Sequence, residues 1–191
     1  MAISNLLKHP KQTGENHMAV FNDCAKLVSA ETLAPATQAY IDAKFNGEDP
    51  LDIMLSMQRS LQIRLAKDKP MFNRNPNELV TAGDVLDWLR DQDDSIADET
   101  RELYTSLGGM SNGEKEATAV WKKWKARHGE LRNVKIADMS PEDQLEIQFE
   151  LVDQFHFFLN KLMALGFDSQ TLFELYYLKN AENFARQDRG Y

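Results

Sequence analysis

Cysteine occurs once in the 191 residues, at Cys24. A lone cysteine excludes an internal disulfide and a thiolate metal cluster. No apolar run reaches the roughly 18 residues that suggest a membrane span, and the N-terminus lacks the apolar core of a secretory signal. The expected compartment is therefore the cytoplasm. Positive charge is also scarce: 22 Lys and Arg stand against 30 Asp and Glu, a formal net charge of -8. Such a chain has no general electrostatic affinity for nucleic acid or for an anionic membrane, so neither is expected as a partner. A nucleotide substrate stays compatible, because a bound divalent cation inverts the sign of a site locally. A glycine-rich phosphate loop is missing, and no stretch shows strand alternation. Those absences argue against Rossmann and P-loop architectures and direct any phosphate chemistry toward a metal.

What is present is helical periodicity. Apolar content of 42% and charged content of 27% fit a globular protein. Residues 1–17 are polar and carry Pro10 and Gly14, which predicts a flexible extension ahead of one domain over 18–191. Residues 21–45 read as one or two helices around Pro35. Asp49-Pro50-Leu51-Asp52 opens a helix with a cap, a proline at the first position and an acid in the first turn. It runs to about Ala66, with Met54, Met57, Leu61 and Leu65 on one face. A helix from Thr81 or Gly83 meets an end or a joint at Asp93-Asp94-Ser95, continues from Ile96, and stops at Gly108-Gly109. Another helix spans 114–128. Ser140-Pro141-Glu142-Asp143 starts a long one over 141–165, and a last one covers 170–186. The repeated i, i+3, i+4 pattern predicts an all-α helical bundle.

Three constellations carry chemistry. Glu150 and Asp153 lie one turn apart among Leu151, Val152, Phe155, Phe157, Phe158 and Leu159. Two ionised carboxylates in apolar surroundings cost several kcal/mol unless paired or metal-bound, about the penalty for burying charge. Glu99 and Glu102 form a second pair with the same spacing. If the two faces oppose each other, four carboxylates converge around a hard cation, and oxygen-only ligands select Mg²⁺ or Mn²⁺. Two separate solvated acidic faces are the competing reading, level with it on spacing alone. The second constellation is Trp121-Lys122-Lys123-Trp124-Lys125, an exposed basic helix or a set of phosphate-binding lysines beside an indole. The third is the C-terminal helix, where Lys179, Asn180, Asn183 and Arg186 line one face. Cations near a helix end are favourable for dipole reasons alone, whereas the two amides have no such explanation.

Taken together and in order, Met57-Gln58-Arg-Ser-Leu-Gln62, Glu99-x-x-Glu102, Trp121-Lys-Lys-Trp-Lys125, Glu150-Leu-Val-Asp153-x-x-His156 and Lys179-Asn180-x-x-Asn183-x-x-Arg186 are specific. Over roughly residues 50–191 the chain resembles the all-α, dimeric dUTPase family of NTP pyrophosphatases. The resemblance implies Mg²⁺-dependent hydrolysis of dCTP and dUTP to the monophosphate and pyrophosphate, by a homodimer. It implies Glu99, Glu102, Glu150 and Asp153 as metal ligands, with Glu99 or Glu102 also activating water. It implies Lys179 and Arg186, with Lys122 or Lys125, as phosphate contacts, and Asn180 and Asn183 near phosphate or sugar. Gln58, Gln62 and His156 then fall on the substrate side. Dimeric dUTPases usually have Asn where this chain has Gln62, a departure from strict uracil specificity. The rival readings are a strict dUTPase, and a non-catalytic helical scaffold that serves other nucleotide-synthesis enzymes. The scaffold accounts for the helices and the acidity but not for two acid pairs together with the Lys/Asn/Arg face.

Overall fold

A computed structural model describes residues 27–108 and 134–190. The extension at 1–17, Cys24, the helix expected over 114–128, and Lys122 and Lys125 lie outside the described residues. Five α-helices and no strand occur within them. The all-α class is as predicted.

Each helix begins on a cap that the sequence supplies. Helix α1 (Ala30–Asn46) starts at Ser29, whose side chain accepts from the Thr32 N–H while the Thr32 hydroxyl accepts from the Ser29 N–H. It is one helix with Pro35 inside it, and it ends at Gly47 with φ 72°. Helix α2 (Pro50–Asp68) starts where the sequence predicts, with Asp49 accepting the Leu51 N–H at 2.8 Å. Helix α3 spans Ala82–Gly108. Thr81 and Asp84 bond each other's backbone N–H at its start. Helix α4 (Pro141–Ala164) is capped by Ser140, which accepts from the Asp143 N–H. Helix α5 (Ser169–Asp188) is capped by Asp168.

The expected end or joint at Asp93-Asp94-Ser95 is not a break. Helix α3 runs straight through it. The polar cluster is accommodated side by side: Ser95 Oγ bonds the Asp91 carbonyl, and Asp93 pairs with Lys161 of α4.

Helices α3 and α4 are antiparallel. Gln92 and Asp93 meet Asn160 and Lys161, whereas Thr100, about two turns further along α3, meets Gln154, earlier on α4. Helix α2 is also antiparallel to α4. Asp52 near its start holds Ser169 just beyond the end of α4, through the Ser169 N–H at 2.9 Å and its hydroxyl at 2.6 Å. Further along, Gln58 reaches Asn160. Leu55, Leu159, Leu162 and Met163 form the apolar core, with Leu51, Phe167 and Leu172 against it.

The faces of α2 and α4 are not the ones that periodicity predicts. Of the expected apolar face of α2, Met54, Met57 and Leu61 are exposed, while Gln58 and Gln62 are buried. On α4, Leu151, Val152, Phe155 and Phe158 face outward, and Glu150 and Asn160 face inward. The helices turn this way because the inward amides satisfy one another, and an indole N–H joins them from Trp88. The apolar stripes are left at the surface of the single chain.

Asp168 and Asp84 give the bundle an acid-sensitive component. Asp168 accepts the Thr171 N–H, which holds its carboxyl below the usual carboxylate value. The Thr81 hydroxyl and N–H do the same for Asp84. A depressed folded-state value stabilises the fold above the ordinary carboxylate range, and that stabilisation is lost as pH falls through it. Asp168→Asn keeps an acceptor for Thr171 but does not titrate. Its urea midpoint should fall less than the wild-type midpoint between about pH 6 and pH 3. Equal falls would show that this cap makes no contribution to acid sensitivity.

Candidate metal centre

The antiparallel register of α3 and α4 brings the two acid-bearing turns together. One carboxylate oxygen from each of Glu99, Glu102 and Glu150 lies within 4.8 Å of the others. Glu150 is buried at 4% exposure, and Glu99 and Glu102 are half-buried. Three carboxylates this close repel one another in a partly dry site, and neighbouring positive charge, a bound cation included, offsets that repulsion. The donor set is oxygen only, which suits a hard divalent ion. Oxygens on one Mg²⁺, each about 2.0–2.1 Å away, are at most about 4.2 Å apart. The 4.8 Å limit of this cluster is close to that span, so small side-chain rotations suffice. The residues present therefore fit a divalent cation.

Asp153, the fourth acid that the sequence points to, is not gathered with these three. It sits one turn beyond Glu150 with its side chain about 40% exposed. Its Oδ1 lies 3.6 Å from Nδ1 of His156, which is also exposed. Of the pair, Glu150 alone is withdrawn from solvent, and the apolar neighbours expected to enclose it do not do so. Those neighbours, Leu151, Val152, Phe155 and Phe158, stand on the outer face of the helix.

The amides lie further along the bundle, around Asn160, about three turns from Glu150 on α4. Gln58 is buried and donates from Nε2 to Asn160 Oδ1 at 3.0 Å. Gln62 follows one turn later. Because α2 runs antiparallel to α4, that turn leads from Asn160 back toward His156, Asp153 and Glu150. Gln62 is also buried, and it makes no side-chain hydrogen bond to any described residue. Lys179, Asn180, Asn183 and Arg186 lie on α5, which is tied down at its first turn by Asp52. No other described helix packs along α5. Lys179, Asn180 and Asn183 are exposed, and Arg186 bonds Glu182 at 3.1 Å. Within the described residues, the cation–amide face is not brought against the acids.

Sequence reasoning did not single out Asn160, Gln92 or Trp88. Asn160 is 1% exposed and takes part in three bonds, one with α2 and two with α3. The only local signal is an amide inside the apolar run Phe157-Phe-Leu-Asn160-Lys-Leu-Met163.

The chain is 67% identical over 174 residues to the dCTP pyrophosphatase of Enterobacteria phage LZ5, which is 91% of this chain and the whole of that protein. It belongs to the phage dCTP pyrophosphatase family. The dCTP pyrophosphatase of Enterobacteria phage T4 is 57% identical over 174 residues, with the same coverage. A phage T4 protein named DNA replication protein is 56% identical over 163 residues, which are 85% of this chain but 41% of that protein. No family model and no solved structure matches the chain. Membership in the dCTP pyrophosphatase family accords with an acid cluster suited to a cation, since a triphosphate brings more negative charge to an already acidic chain.

Glu150→Gln removes one ligand charge and almost no volume. It should weaken Mn²⁺ binding, read by electron paramagnetic resonance, by about 10–100-fold or more, with the melting temperature retained. Unchanged Mn²⁺ affinity would remove Glu150 from the ligand set. An unfolded variant would assign it a structural role instead.

Proposed function

We propose that this chain is a Mg²⁺-dependent pyrophosphatase that hydrolyses dCTP, and also dUTP, to the nucleoside monophosphate and pyrophosphate. The observation that supports this most is the oxygen-only cluster of Glu99, Glu102 and Glu150 in a member of the dCTP pyrophosphatase family.

When bound, Mg²⁺ or Mn²⁺ supplies neutralising charge for the triphosphate and lowers the pKa of water. Glu99, Glu102 and Glu150 would hold the cation, and Asp153, one turn along α4, would have to swing in from beside His156 to be the fourth ligand. Glu99 or Glu102 takes the proton of the attacking water as general base. The water oxygen bonds to the α-phosphorus as the bond to the α,β-bridging oxygen breaks, and pyrophosphate leaves with those electrons. Lys179 and Arg186, with Lys122 or Lys125, would stabilise the departing charge once α5 lies against the acids, where the described single chain does not hold it. Asn180 and Asn183 bond phosphate or sugar, and His156 lines the nucleoside side. Gln58 and Gln62 read the base: a primary amide carries a donor and an acceptor, so it can pair with cytosine or with uracil.

Destruction of dCTP keeps unmodified cytosine out of phage DNA. The monophosphates feed the synthesis of thymidylate and of modified cytosine, which places the reaction in the host cytoplasm beside other nucleotide-synthesis enzymes. The name of the T4 DNA replication protein is consistent with such a link.

A homodimer accounts for the outward apolar stripes. Met57, Leu61, Leu151 and Phe158 are too many large apolar groups to leave exposed on a monomer of this size. A second copy covers them by an isologous contact. Sedimentation at micromolar concentration should give a dimer, and a monomer there would reject the contact.

The activity is tested by pyrophosphate release from the four canonical dNTPs and dUTP, with and without Mg²⁺. Release from dCTP and dUTP, dependent on metal, is the expected result. Turnover of dUTP alone would identify a strict dUTPase. No turnover of any nucleotide would leave the helical scaffold.

A further inference from the structure

Asn160 sits at the centre of a line of three buried amides. Gln58 Nε2 donates to Asn160 Oδ1 at 3.0 Å, and Asn160 Nδ2 donates to Gln92 Oε1 at 2.7 Å. The line therefore has a direction. Gln58 directs an N–H inward, and its Oε1 accepts from no described residue. No fully buried side-chain nitrogen or oxygen among the described residues lacks a partner, so this Oε1 is still reachable from solvent. The Trp88 indole bonds the Asn160 main-chain carbonyl at 3.0 Å and is indifferent to the amide's orientation.

The opposite direction pairs the same three side chains with every donor and acceptor exchanged. Asn160 Nδ2 then donates to Gln58 Oε1, Gln92 Nε2 donates to Asn160 Oδ1, and Gln58 offers an N–H outward. One amide cannot turn alone. Two N–H groups or two oxygens would then face each other in a buried contact, and mismatches of that kind separate alternatives by about tenfold or more.

We propose that Asn160 and Gln92 are positioning residues that set which edge Gln58 presents to the base, and so set the choice between cytosine and uracil. The inference rests on the reading that Gln58 contacts the base. With Oε1 outward, as observed, Gln58 accepts from the 4-amino group of cytosine. Uracil carries an oxygen at that position and needs an outward N–H, which requires the whole line to reverse. A line in this direction favours dCTP, and a reversed line favours dUTP. Gln62 is not joined to the line and adjusts on its own.

The ratio of kcat/KM for dCTP to that for dUTP is the readout, because a merely structural role would move both substrates alike. Gln92→Glu places an acceptor-only carboxylate at the end of the line. It holds Asn160 Nδ2 toward residue 92 and Gln58 Nε2 toward Asn160. The ratio should rise by about tenfold, chiefly through lost dUTP turnover. Gln92→Met keeps the volume and removes the anchor, so the two directions become nearly equal and the ratio should fall several-fold. Thermal melting verifies that each variant is folded. If Gln92→Glu does not fold, Gln92→Met decides alone. An unchanged ratio in the folded variants overturns the proposal. Gln58→Leu separates this from failure of the underlying reading: if kcat/KM is unchanged for both nucleotides, Gln58 does not contact the base at all.

Discussion

The three hydrogen bonds on Asn160 hold the bundle in register. Its side chain bonds Gln58 of α2 and Gln92 of α3, and its carbonyl bonds Trp88 one turn earlier on α3. A buried amide tolerates little error in the placement of its partners, because an unmade bond costs about 1–3 kcal/mol. Apolar packing through Leu55, Leu159 and Leu162 would accept a sliding of one helix on another far more readily. The register set at Asn160 carries along the helices to the acids. Glu99 and Glu102 lie two to three turns beyond Gln92, and Glu150 lies about three turns before Asn160. Their meeting follows from a polar contact well away from them.

This arrangement reverses the usual division of an amphipathic helix. Helices α2 and α4 turn amides toward each other, α4 turns Glu150 toward α3, and much of their apolar side-chain surface faces outward. Such an interior is tolerable only because its polar atoms are satisfied or reachable by solvent. It also explains why the apolar core of the chain is small and confined to the end where α2, α4 and the start of α5 meet.

Fold class and helix boundaries were legible because they depend on local chemistry. Asp49-Pro50 and Ser140-Pro141 start helices where their caps predict. The pairing of Glu99 and Glu102 with Glu150 was legible as a possibility, since spacing within a helix shows which acids share a face. Asp153 shows the limit: the same spacing left it beside His156. The inward face of α2 was not legible. Periodicity locates an apolar stripe without saying whether it meets its own chain. Asn160 was hidden for a related reason, because its side-chain partners are 102 and 68 residues away and no local pattern connects them. The polar cluster at Asp93-Asp94-Ser95 resembled a helix end because its partner, Lys161, lies on another helix.

The acid cluster has a thermodynamic side as well as a chemical one. Carboxylates from α3 and α4 meet at one place, where a bound cation would bridge the two helices. A cation that enters between them binds the assembled pair and has little to bind in the unfolded chain. Its binding free energy is therefore also cohesion between the helices. Once the ion exceeds its dissociation constant, each tenfold rise in concentration adds about 1.4 kcal/mol to that cohesion. Removal of such an ion by a chelator would loosen the same seam, and the ionic composition of the medium would then help to determine the protein's mechanical integrity.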